Sequence, residues 1–309
     1  MRPYLTSITE NSDTKIMLKK ILFLSLLLNS SFAFSSQSLL VDINWLKKNL
    51  DSSSVRLIDM SDSTQYQRFH IPGATHLPYS AINTRNKSDV SFSVGKKHII
   101  KILGLLGIQA KHHVVIYDDM GGLHASRFFW ELEKLGHKNV SLLNGGLVKW
   151  ILAGNKVTAN SQGVKATQYI SSAKSERKNT ADIEEILSSK YNNQNILLDV
   201  RSKDEYTGHP RYPRSGHIPK AKWLEWSESV NFEDAFKMKN QKTLKKQLQK
   251  IGISKLETPI TLYCQSAHRA SHSYFTLRQL GFKNVKIYDG SMSEYSKVKS
   301  APLIKGMTH

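Results

Sequence analysis

The chain has 309 residues, too many for one ordinary core and comfortable for two domains. Hydrophobic residues make up 39% of it, in short Leu, Ile and Val runs, which excludes a disordered chain. The net charge of +19 is spread along the sequence, with no basic arm, zinc-finger spacing or Lys/Arg-dense helix beside stacking aromatics; this argues against nucleic acid and for small anionic partners.

At the N-terminus, Lys19 and Lys20 precede an apolar run from Ile21 to Leu28, followed by small and polar residues through Ser36. That order is the signature of an export signal. Ala33 and Ser35 place the expected cleavage after Ser35, with cleavage after Ala33 or an uncleaved anchor as alternatives. The apolar run is far short of the roughly 20 residues a spanning helix needs, so no stable membrane span is expected after signal removal. Met17 would open a more usual signal than Met1 does, so a start at Met17, with residues 1–16 mis-called, is an alternative. The expected location is outside the cytoplasm, in the periplasm. Cys264 is the one cysteine, so no internal disulfide is possible, and a lone thiol in an oxidising compartment must be buried or used.

Short β-rich runs then alternate with helix-like segments. The expected strands are Val55–Met60, Val114–Asp118 and Val140–Leu143, then Asn195–Val200, Ile260–Cys264 and Val285–Tyr288. Leu244, Leu248 and Ile251 recur at helical spacing, and Ala270–Leu280 has helix length. This alternation predicts an α/β fold in which a mostly parallel sheet carries helices on both faces. The two halves also match at one constant offset. Leu106-Gly107-Ile108 faces Ile251-Gly252-Ile253, and Leu135-Gly136-His137-Lys138-Asn139-Val140 faces Leu280-Gly281-Phe282-Lys283-Asn284-Val285. Upstream, His70-Ile71-Pro72 resembles His217-Ile218-Pro219. The expected organisation is a signal over 1–35, a first domain over 36–158, a polar linker over 159–180 and a second domain over 181–309.

The segment from Leu262 to His272 carries the chemistry. An apolar strand ends at Cys264, a helix begins near Ala270, and Arg269 lies five positions after the cysteine. A loop running into a helix N-terminus turns several backbone N–H groups toward one point. Those dipoles and Arg269 favour a thiolate, and the same N–H groups can hold an anion in front of it. His268 adds a donor or a positive charge.

Cys264-Gln265-Ser266-Ala267-His268-Arg269 resembles the active-site loop of rhodanese-type thiosulfate sulfurtransferases. Gly216–Pro219, Leu197–Arg201 and Tyr288–Ser291 are further marks of that family. The resemblance implies two tandem rhodanese-like domains, and a Cys264 persulfide that carries sulfur from thiosulfate to a thiol or cyanide. It implies a substrate site built from Gln265, Ser266, Ala267, His268 and Arg269, with Trp223 and Trp226 lining the cleft. Neither cofactor nor metal is required, and a monomer is expected. At the ungapped offset Asp119 stands opposite Cys264, which makes the first domain a structural partner. Two departures stand out: Lys220 replaces the Gly that follows His-Ile-Pro, and Ala267 occupies a position where many relatives have Gly, a strained choice if φ is positive there.

Rival functions are a 3-mercaptopyruvate sulfurtransferase, a cysteine phosphatase and a non-catalytic sulfur carrier. Gln265 and Arg269 favour thiosulfate over mercaptopyruvate, and the five-residue spacing from Cys264 to Arg269 suits a sulfur atom better than a phosphate. Asp59, Asp199, His70 and His217 read as turn-organising residues. His112-His113 lacks partners at metal spacing. Phe128-Phe129-Trp130 reads as core and domain interface, and Gly121-Gly122 is too short for a phosphate loop.

Overall fold

A computed structural model describes residues 38–171, 178–188, 191–211 and 214–307. The export signal therefore lies outside the described residues. Two five-stranded sheets are present, and every pairing within them is parallel. The first runs in the order Leu40–Val41, Val140–Leu143, His113–Tyr117, Val55–Asp59, Thr75–His76. The second repeats that order with Lys222–Trp223, Ile196–Asp199, Ile260–Tyr263, Val285–Tyr288, Thr180–Ala181, read from the opposite edge. The six expected strands form the three central members of each sheet: two match, one is shifted by a residue to His113–Tyr117, and three are shorter by one or two residues. The edge strands of two residues each were not expected, because so short a segment carries no periodicity.

The central strands are buried on both faces, so their side chains divide by parity between two apolar layers. In the first sheet Leu57, Val115, Tyr117 and Leu143 face an outer layer with Leu46, Leu147 and Trp150. Ile58, Val114, Ile116 and Leu142 face inward. In the second, Leu197, Tyr263 and Tyr288 face outward with Tyr206 and Tyr295. Leu198, Leu262 and Ile287 face inward, into the same cluster as the first domain's inner residues. The two halves thus share one continuous inner core.

Two helices build that shared layer, Ala125–Lys134 and His268–Gln279. Phe129 and Phe275 meet edge to face at 4.9 Å. Phe128, Phe129 and Trp130 are all fully buried, as expected for core and interface. An aromatic pair of this kind is worth about 1 kcal/mol beyond its area. Polar contacts cross the same seam: Tyr274 donates to Glu133 at 2.6 Å, and Arg278 pairs with Glu133 at 2.8 Å. Residues 159–171, expected as linker, are irregular; Thr180–Ala181 already belongs to the second sheet.

The turns repeat too. His70 stacks on Tyr66 at 3.9 Å and His217 on Tyr206 at 3.8 Å, and each imidazole Nδ1 donates to its tyrosine's carbonyl. Asp59 and Asp199 accept the N–H of the residue two places on. Lys220, with φ of 64°, holds the left-handed conformation that Gly73 holds in the first copy at φ of 80°.

Candidate active site

Tyr263 ends the central strand of the second sheet, and Cys264 follows it into the loop. The loop closes on Ala267, which caps the helix at φ of 60° and ψ of −4°, the left-handed conformation that its position raised as a concern. The segment after the strand Val285–Tyr288 clamps it. Ser291 Oγ accepts the N–H groups of Cys264 and Ala267, both at 3.2 Å, and donates to Tyr288 O. The N–H groups of Met292 and Ser293 donate to the carbonyls of Cys264 and Gln265. The N–H groups of Gln265, Ser266, His268 and Arg269 have no acceptor among the described residues. Four amide dipoles remain available beside one sulfur, an arrangement suited to a negative charge.

The first domain holds the same loop with a different occupant. Tyr117 and Tyr263 occupy equivalent strand ends: their hydroxyls accept from Ile71 N–H and Ile218 N–H. Asp118 O accepts from Leu147 N–H as Cys264 O accepts from Met292 N–H. The residue standing where Cys264 stands is therefore Asp118, and the expectation of Asp119 is corrected. The constant offset holds along the helices, but the first loop is one residue longer, which shifts the strand side. The carboxylate of Asp118 fills its own cradle. It accepts from Met120 and Gly122 on one oxygen and from His124 and Ala125 on the other, at 2.8 to 3.0 Å.

Two features of the second loop bear on how Cys264 and Arg269 can act. Cys264 is 1% exposed and belongs to the inner core, so the thiol is enclosed rather than open to a cleft. Arg269 is not a free clamp: its guanidinium makes a two-point pair with Glu205 at 2.6 and 2.8 Å. That pairing, with the cap that Glu205 forms on Ser202, holds the Glu205 carboxyl at about 2 against its desolvation. The cationic group still lies within electrostatic reach of Cys264.

His268 is mostly buried, and its Nε2 has no partner among the described residues. Burial beside other cationic groups pushes it down to about 3, so it is neutral at ordinary pH. Its ring lies 4.4 Å from Tyr79 and 4.9 Å from His124, both from the first domain. Tyr79 is pushed up to about 12 by burial and senses both Arg127 and Cys264. Trp226 takes a different place from the expected one. Its ring packs edge-on against His272 at 5.2 Å, and His272 Nε2 donates to Gly121 O in the first domain's loop. Tyr79 and Trp226 begin equivalent short helices; Tyr79 reaches His268 of the other domain, whereas Trp226 packs on His272 of its own. Trp223 donates to Arg201 O behind the sheet edge. Gln265 is exposed and lines a cleft of about 460 Å³ with Arg201, Glu205, Arg214, Met292 and Ser296; Ser266 is half-buried.

Residues that sequence reasoning missed are Ser291, Glu205, Tyr79 and the pair Arg127–Asp289. Ser291 stood in a recognised motif without an assigned role. Asp289 stood in the same motif; Glu205, Tyr79 and Arg127 come from distant segments, and nothing local announces them.

Matches to the Rhodanese-like domain model span residues 42–153 and 182–298. The chain belongs to the rhodanese family of sulfurtransferases. It is 32% identical over 288 residues to "Sulfur carrier protein TtuD" of Thermus thermophilus, covering 88% of this chain and 99% of that one. It is 33% identical over 279 residues to a "Putative thiosulfate sulfurtransferase" of Mycobacterium leprae, covering 86% and 98%. Among solved structures, YnjE superposes with a TM-score of 0.77 at 22% identity, over 96% of this chain and 78% of its own. EanB superposes with a TM-score of 0.74 at 22% identity, over 88% and 70%. These two likenesses concern the fold alone. Both rhodanese domains are complete in their sheets, and the second carries the thiol. Among the described residues no group of three or more His, Cys, Asp or Glu side chains is arranged to hold a metal ion. No helix among them is long and apolar enough to cross a membrane.

Proposed function

We propose that the protein is a thiosulfate sulfurtransferase in which Cys264 carries the sulfur. The observation behind this reading is the set of backbone N–H groups beside Cys264 that have no acceptor among the described residues, whereas in the twin loop an internal carboxylate accepts the corresponding ones. The Cys264 thiolate attacks the outer sulfur of thiosulfate. The S–S bond of the donor breaks, its electron pair leaves with sulfite, and a persulfide remains on Cys264. Cyanide or a thiolate then attacks the outer persulfide sulfur, and the electron pair returns to Cys264. The N–H groups of residues 265, 266, 268 and 269 stabilise the negative sulfur in each anionic state. Arg269 meets the sulfonate by giving up part of its pairing with Glu205. Tyr79 and His268, whose rings meet at 4.4 Å, lie beside the site. The relative named as a thiosulfate sulfurtransferase supports this donor.

A second reading, a sulfur carrier with a protein acceptor, is favoured by the name of the Thermus thermophilus relative. It predicts a persulfide that forms but does not turn over with cyanide. The reading of the N-terminus as an export signal places either activity outside the cytoplasm, most simply as a periplasmic monomer.

Steady-state transfer from thiosulfate to cyanide, run beside 3-mercaptopyruvate and an aryl phosphate, tests the assignment. Turnover with thiosulfate alone is expected. Turnover with mercaptopyruvate or phosphate in its place would overturn it.

A further inference from the structure

The first domain lacks a thiol, yet it reaches the loop that has one. Arg127 lies on the helix Ala125–Lys134 and is 1% exposed. Its Nη2 meets Asp289 Oδ1 of the second domain at 2.8 Å, and Ser93 N–H of the first domain donates to Asp289 Oδ2 at 2.8 Å. Glu131 lies 3.7 Å from the Arg127 Nε, and the guanidinium sits over Trp130 at 4.5 Å. Asp289 precedes Gly290 and Ser291, so this anchor fixes the segment whose hydroxyl gathers the N–H groups of Cys264 and Ala267.

Comparison with the twin shows that Ser291 is a costly choice. Its φ is 49°, and the equivalent Gly146 has φ of 51°. A Cβ on Gly146 would fall 2.1 Å from Asp118 O. A non-glycine residue in this conformation costs about 1–3 kcal/mol and persists where surroundings over-determine it. Ser291 is fully buried, and its oxygen has three partners in or beside the Cys264 loop. The reciprocal contact exists too: His272, at the place of Arg127 in the second helix, reaches Gly121 O of the first loop.

We propose that Arg127 is a positioning residue for the Cys264 loop, acting through Asp289 and Ser291. The domain without the thiol thereby sets the amide geometry around the domain that has it. This rests on Cys264 being the nucleophile, as argued above.

The test uses the full chain, in which alkylation reports on one thiol. Iodoacetamide rates are measured at pH 7 and at about pH 10, above the ordinary thiol pKa of about 8.5. Arg127→Met and Asp289→Asn are compared with Phe129→Leu, which weakens the same interface away from the loop. For both charge variants the expected result is a folded protein whose rate at pH 7 falls at least fivefold, with less than twofold change at pH 10. In turnover, kcat falls by a similar factor and KM for thiosulfate stays within twofold, while Phe129→Leu keeps the wild-type ratio of the two alkylation rates. Wild-type ratios in both charge variants, or loss of folding in both, would overturn the positioning role. Alkylation needs no sulfur donor, so this outcome stands apart from whether thiosulfate is the substrate. Failure of Cys264→Ser to lose sulfur transfer would sink the functional reading instead.

Discussion

Asp118 and Cys264 stand at the same point of twin loops, one a carboxylate that holds four backbone N–H groups, the other a thiol beside four that are unclaimed. The comparison within one chain shows what such a loop is built to hold. It also predicts the cost of emptying the first cradle. Asp118→Ala leaves four donors without their anion and is expected to destabilise the protein by on the order of 3 kcal/mol, with Asp118→Asn costing less. Urea denaturation followed by circular dichroism measures this. A change under about 0.5 kcal/mol would mean that solvent replaces the carboxylate freely.

Glu205 competes for the cation at the site. Glu205→Gln removes the charge that neutralises Arg269 and is expected to lower KM for thiosulfate two- to fivefold. Arg269→Ala is expected to raise it about tenfold. Steady-state kinetics at fixed ionic strength checks both. If KM is indifferent to both substitutions, the arginine belongs to the fold and not to the donor.

Acid should unfold the protein in two stages. His268 is pushed down to about 3 and His272 to about 4, so in the native state they resist protons that the unfolded chain accepts near 6.5. Their contribution is complete above 6.5 and is lost as pH falls toward those lower values. Glu205, held at about 2, contributes above its ordinary 4.5 and loses that contribution as pH falls toward 2. Melting temperatures are expected to decline from about pH 6.5 downward and more steeply below about pH 4.5. In His268→Gln the first decline should be shallower; an unchanged slope would show that His268 titrates freely in the native state.

Much of this was legible in the sequence because local signals carried it. Runs such as Val114-Val115-Ile116 are apolar on both faces, and that predicts a covered parallel strand. The repeated Leu-Gly ends of the helices gave the duplication, and the cysteine's neighbours gave the loop. The error at Asp119 arose because one added residue in the first loop shifts the strand by one position while leaving the helix register intact. Trp226 is expected to line the cleft. Its ring packs on His272 of the same domain, and it is Tyr79 of the first domain that comes across to His268. Partners such as Glu205 for Arg269, or Asp289 for Arg127, depend on how distant segments converge, and no spacing encodes that.

The most direct measurement mixes the protein with excess thiosulfate and no acceptor, then follows sulfite release and the intact mass. One equivalent of sulfite per chain should appear, together with a mass gain of one sulfur atom located on Cys264; Cys264→Ser should show neither. Sulfite released by the serine variant, or a wild-type protein that turns over thiosulfate and cyanide without ever carrying sulfur on Cys264, would contradict the account.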